Sequence, residues 1–403
     1  MKMPPTGLIY SIVTRIRIQC LLIALFFLCG AAIFSISFFT RYSESFQLPF
    51  VSSDERLRVL PTDNSSKGGK GGNSTLGFDA IYYINLPHRY DRLDALSLQS
   101  YLSDIDIVES LAVDGDTLRD DGLPPMKDLD SLSKGAKGCW RAHANIWAKM
   151  LRDKTQSVLV IEADATWDIH IRKISEIAAD HVSQYILHNN MTRLPTQLVQ
   201  NFSDTSVATP PPRSPADPWL REYWDVLSLG ACHESVPKQN STANIIYRDP
   251  HAPTGITFAG QELHRERAIY AASSMICTTA YAVSLTGAAK LLLRSALNLD
   301  APVDLLMSQM IGEGKLQTLS VFPPIMGQWT YVNNIGMNER GSNSDILGNS
   351  DNSNNDSGDM TGWDDAMSAH NIWKTKDYHE NTAFEEMALQ VAWKHIFSSE
   401  LSS

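Results

Sequence analysis

The segment Val158–Asp168, VLVIEADATWD, sets two carboxylates two positions apart at the end of an apolar run. Val158 to Ile161 read as a buried strand. Side chains at i and i+2 of an extended segment share a face, so Glu162 and Asp164 can converge on one point. In α/β sheets ligands bind beyond the carboxyl ends of the strands. Paired carboxylates there can seat Mg²⁺ or Mn²⁺ carrying a phosphorylated substrate. The other reading is a strand-end turn with solvated acids.

Four further segments carry groups able to join that chemistry. In INLPHRYDR, Asn85 can turn the chain, and Arg89 and Arg92 sit three apart as a helix begins. Such a pair could engage a diphosphate, or could bond to Asp91 or Asp94 at the surface. In KGAKGCWRAH, Gly135 and Gly138 give backbone freedom just before a helix, which suits close approach of a ligand or a tight entry turn, and His143 either bonds a substrate or packs. WDVLSLGACHE reads as a strand ending near Gly230, with Glu234 beyond it as a base or a plain surface acid. In APVDLL, Asp304 opens a helix pattern as a second candidate base or an ordinary cap.

The elements that must position these groups alternate. FDAIYYI, IDIVESLAV and residues 157–162 read as strands, with the helix CWRAHANIWAKMLRD before the third. A helix over 171–186, a Pro- and Ser-rich loop over 192–218, the strands WDVLSLG, TAYAVS and LQTLSVF and the helix GAAKLLLRSAL follow. This predicts an α/β fold, a mostly parallel sheet with helices on both faces, over residues 78–338. Residues 339–380 read as low-complexity and acidic, and 381–403 as a C-terminal helix.

With 403 residues, 43% of them hydrophobic, the chain can bury one large core. Its net charge of −11 offers no basic field for nucleic acid. Residues 18–40 contain no charge and are apolar enough to cross a membrane; residues 1–17 hold only the basic Lys2, Arg15 and Arg17. The positive-inside rule then predicts a cytosolic tail, an uncleaved anchor and a lumenal bulk. Residues 41–77, glycine-rich and polar, read as an unfolded stem. Glycosylation acceptors at Asn64, Asn73, Asn190, Asn201, Asn240 and Asn355 agree with that orientation. Of the three lumenal cysteines, Cys232 and Cys277 sit beside predicted strand ends, which makes them the preferred disulfide over pairings with Cys139.

INLPHRYDR, KGCWRAH, VLVIEADATWD, TAYAVSLTGAAKLL and PVDLL occur in the order found in glycosyltransferase family 25, and the chain resembles that family, its fungal members most, from Phe78 to Ile346. The resemblance implies a GT-A-like fold and inverting transfer from a UDP-sugar, most often UDP-galactose, to a glycan or glycoprotein in the Golgi. It implies Mn²⁺ or Mg²⁺ at Glu162 and Asp164, donor contacts from Asn85, Arg89, Arg92 and His143, and a base at Asp304 or Glu234. Ala163, Thr166 and Ala142 stand where family members carry aspartate, another acid and serine, with Asp168 a further acid within reach. Those departures keep open a second reading, an impaired member that binds nucleotide-sugar or acts as a lumenal scaffold.

Overall fold

The computed structural model of the protein describes residues 70–128, 130–194, 217–235, 244–336, 359–376 and 384–397. The tail 1–17, the apolar run 18–40 and most of the stem lie outside them. Among the described residues no helix is long and apolar enough to cross a membrane.

In chain order the strands are β1 (Ala80–Asn85), β2 (Val108–Leu111), β3 (Ser157–Glu162), β4 (Ala165–Trp167), β5 (Val226–Ser228), β6 (His233–Ser235), β7 (Ile245–Arg248) and β8 (Thr254–Phe258). They continue with β9 (Gln261–His264), β10 (Glu266–Ala271), β11 (Ser274–Ile276), β12 (Ala280–Ser284), β13 (Thr318–Phe322), β14 (Met326–Tyr331) and β15 (Trp373–Thr375). The helices are α1 (Tyr90–Ser103), α2 (Lys134–Asp153), α3 (Ile171–His188), α4 (Leu285–Leu297), α5 (Val303–Gly312), α6 (Trp363–Ser368) and α7 (Ala388–Phe397).

The central sheet has eight strands in the order β2-β1-β3-β12-β5-β13-β10-β7. It is mixed, but β12 and β10 alone run against the other six. Alternate residues of β3 explain its continuous apolar sequence, because both faces are covered. Leu159 and Ile161 pack with Ile174, Ala178 and Val182 of α3 on one side. Val158 and Val160 pack with Trp147 and Met150 of α2, Leu291 of α4 and Leu306 of α5 on the other.

Gly135 and Gly138 lie inside α2 and not before it, since Ser133 caps the helix by accepting from the Ala136 N–H at 3.1 Å. A Cβ on Gly138 would stand 2.4 Å from the Val113 carbonyl oxygen. Close approach to the chain after β2, and not to a ligand, accounts for that glycine.

Two boundaries differ from the sequence reading. Order reaches back into the stem: Leu76 is fully buried, and its carbonyl accepts from the Trp219 indole N–H at 2.7 Å. Glycine-rich composition masked one anchoring leucine. A chain begun at Phe78 should therefore melt below one begun at Lys67, by about 1.5–3 kcal/mol for Leu76 alone. Equal denaturant midpoints for the two would show that residues 67–77 contribute nothing.

The acidic segment 339–380 is likewise not uniformly unstructured. Residues 359–376 contain α6 and β15, and β15 pairs antiparallel with β14. Ala366, Phe384, Met387 and Leu389 join Trp329, Tyr331 and Ala95 in a separate apolar cluster. The C-terminal helix α7 thus docks beside α1. Residues 337–358 lie outside the described ones.

Candidate functional site

The site forms where β1 and β3 end side by side, since Ile84 is in register with Glu162. Asn85 closes β1, is buried, and donates from Nδ2 to the Arg89 carbonyl at 3.4 Å, so it shapes the turn into α1. Arg89 is clamped bidentately by Asp91, at 2.9 and 2.8 Å. Arg92, one turn on, reaches the acidic tip, with a guanidinium nitrogen 3.4 Å from Asp164 Oδ2.

Glu162 and Asp164 occupy different electrostatic situations. Burial pushes the Glu162 carboxyl up, but His143, the Thr278 hydroxyl and Arg92 outweigh it and hold the group below the ordinary glutamate range. Thr278 Oγ1 donates to Glu162 Oε1 at 2.6 Å, and His143 Nε2 stands 3.5 Å from the same oxygen. Burial pushes the Asp164 carboxyl above the ordinary range; Arg92 only partly offsets this, and Glu162 adds to it. Asp164 Oδ1 is buried without a hydrogen-bond partner. A hard cation with oxygen ligands fits that orphaned carboxylate oxygen beside Glu162.

His143 is fixed from behind. Trp147 Nε1 donates to the Tyr281 hydroxyl at 3.1 Å, and that hydroxyl lies 3.0 Å from His143 Nδ1. Burial raises the Tyr281 pKa, so the phenol keeps its proton and can donate it to Nδ1. That tautomer directs an Nε2–H at Glu162. Tyr281→Phe should cost about 1–3 kcal/mol by stranding the buried Trp147 and His143 nitrogens. An unchanged urea midpoint would remove Tyr281 from this role.

Asp304, in the first turn of α5, accepts from the Cys277 N–H at 3.3 Å and the Leu305 N–H at 2.8 Å. Pro302 takes the cap position, so the aspartate is not the cap. The Cys139 thiol is pushed well up by burial, then by the negative charges of Glu162, Asp304 and Asp164. Glu234 lies in β6, where its backbone pairs with Met275 of β11. Cys232 and Cys277 form a disulfide with Cα atoms 5.5 Å apart, and Cys139 is free.

Residues 78–212 match the family model of glycosyltransferase family 25 (LPS biosynthesis protein). This segment is similar to glycosyltransferase family 25. Procollagen galactosyltransferase 2 of Homo sapiens is 30% identical over 120 residues, 27% of this chain and 19% of that protein. Procollagen galactosyltransferase 1 of Danio rerio is 32% identical over 109 residues, 24% of this chain and 18% of that protein. Inactive glycosyltransferase 25 family member 3 of Homo sapiens is 27% identical over 145 residues, 33% and 24% of the two chains. The matched stretch spans less than a quarter of the length of these curated relatives.

Within the matched segment, the departures in the acidic motif are built into the packing. Ala163 is 3% exposed and lies in the apolar cluster beneath the sheet. Thr166 is buried and donates to Gln99 Oε1 at 2.6 Å, tying β4 to α1. Asp168 does not reach the tip: Oδ1 accepts from the His170 N–H and Oδ2 from the Glu386 N–H. Several contributors escaped the sequence reading. Thr278 and Tyr281 lie in and before a strand read only for its apolar pattern, and Lys376 lends its charge to Asp164 from a segment read as low-complexity. Of the glycosylation acceptors, Asn73 and Asn190 are exposed; Asn64, Asn201, Asn240 and Asn355 lie outside the described residues.

Proposed function

We propose that this chain is a type II membrane glycosyltransferase of the Golgi lumen that transfers a sugar, galactose by the likeness to the galactosyltransferases above, from a UDP-sugar to a glycan or glycoprotein with inversion. The observation that carries this reading is the orphaned Oδ1 of Asp164, held beside Glu162 and Arg92 at a strand end of the segment similar to family 25. Asp164 and Glu162 would hold Mn²⁺ or Mg²⁺, which when bound neutralises the diphosphate of the leaving UDP. Arg92 adds a fixed positive charge on the same side. His143 and Thr278 keep Glu162 ionised and oriented. Asp304, oriented by two backbone N–H groups, would take the acceptor hydroxyl's proton, with Glu234 as the alternative base.

A second reading, a member without transfer activity that still binds nucleotide-sugar, draws on the match to the inactive family member 3 and on Ala163. A donor screen on the chain from Lys67 onward, with Mn²⁺, Mg²⁺ or EDTA, separates the two. Metal-dependent turnover of a UDP-sugar supports the enzyme. UDP binding without hydrolysis or transfer in any metal supports the second reading.

A further inference from the structure

Asp168, left out of the donor site, sits in a different cluster. It is fully buried at the start of α3, and burial raises its carboxyl pKa. The charged groups that act on it among the described residues are the imidazoles of His251 and His170. Ligand atoms of Asp168, His170 and His251 all lie within 4.8 Å of one another. The two rings face each other with centroids 4.6 Å apart, and Glu386 Oε2 stands 3.4 Å from His170 Nε2. The carboxylate is oriented by N–H groups from both His170 and Glu386, at 2.8 and 3.0 Å.

A buried carboxylate needs compensating charge, and two backbone N–H groups supply only dipoles. Two imidazoles and a carboxylate are the donor set of borderline divalent ions such as Zn²⁺, which differs from the all-oxygen preference of Mg²⁺. The His170 and Glu386 N–H groups fix the carboxylate's orientation, as a ligand carboxylate requires. The three ligands come from the β4–α3 junction and the β7–β8 loop, and the segment ahead of α7 is pinned there too, through the Ile169 N–H donated to the Glu386 carbonyl at 3.0 Å.

We propose that Asp168, His170 and His251 form a second cation site, selective for Zn²⁺-like ions, that fastens the C-terminal segment to the domain. Glu386 is placed to fill a fourth position. The site is separate from the Glu162–Asp164 tip and independent of whether transfer occurs there.

The test is calorimetric titration of the purified, EDTA-stripped full chain with ZnCl₂, with Co²⁺ absorption as a second probe. The expected result is one Zn²⁺ equivalent that persists in His143→Ala and weakens at least about 10-fold in His170→Ala and in His251→Ala, the lower end of what losing even an outer-shell partner costs. Bound Zn²⁺ should also slow proteolytic release of the segment 384–397 in the parent chain but not in the two variants. Should either variant lose its circular dichroism, His170→Gln and His251→Gln replace it. No Zn²⁺ binding to the parent chain, or binding unchanged in both histidine variants, overturns the proposal.

Discussion

Asp164→Asn should lower metal-dependent sugar transfer by about 10²- to 10³-fold, the range for removing one charge-stabilising group from an active site, while shifting stability by no more than about 1 kcal/mol. The asymmetry follows from the environment. Burial and Glu162 hold the Asp164 carboxyl above its usual range, so its ionised form is disfavoured in the folded protein and a neutral amide of the same shape removes that penalty. Against this stands the lost attraction to Arg92 at 3.4 Å, which keeps the net change small. Loss of activity with an unchanged melting temperature is the expected pair of results. Loss of both together would make Asp164 a structural residue, and full activity in EDTA would remove the cation from the site.

The two acids of the tip should also answer oppositely to pH. Glu162 is held below its unfolded value, so its contribution to stability is present above that value and fades as pH falls through the depressed folded one. Asp164, held above its unfolded value, destabilises when ionised, and acidification relieves that cost. Protonation of Asp164 nevertheless competes with a cation, so turnover should decline on the acid side at a higher pH than a solvent-exposed aspartate would give. In Asp164→Asn the residual activity should lose that limb.

What the sequence made legible was whatever depends on local pattern. The continuous apolar run in VLVIEADATWD specified a doubly covered strand running into Glu162, and β3 has that character, with Asp164 in the turn that follows it. Register and distant partners were not legible. Nothing in KGCWRAH says that His143 is held by a tyrosine 138 residues away, because that contact depends on β12 entering antiparallel beside β3. The Gly138 reading failed for the same reason, since the neighbour that requires glycine is the chain after β2 and not a ligand. Composition misled at both ends: a single buried leucine outweighs a glycine-rich context at Leu76, and Trp373 sits in a paired strand despite polar surroundings.

Removal of the disulfide should be the costlier change for the fold, and it should reach the site. Cys232 and Cys277 are 45 residues apart, so replacing both by serine releases a loop whose closure is worth about 4 kcal/mol in the chain-entropy account. The bond joins the ends of β6 and β11, where the Cys232 N–H also donates to the Ile276 carbonyl at 3.0 Å. Cys277 has φ +69°, a left-handed conformation that a non-glycine residue holds only when its surroundings impose it. Its N–H points at Asp304, and the next residue, Thr278, donates to Glu162. Freed from Cys232, this corner would relax toward negative φ and swing both contacts away from the two carboxylates. Cys232→Ser/Cys277→Ser, or reduction of the native protein, should therefore lower the urea midpoint and reduce kcat more than it raises KM. A double variant that melts early yet keeps its kcat at low temperature would show that the disulfide holds the fold alone and that Asp304 and Glu162 are positioned by other contacts.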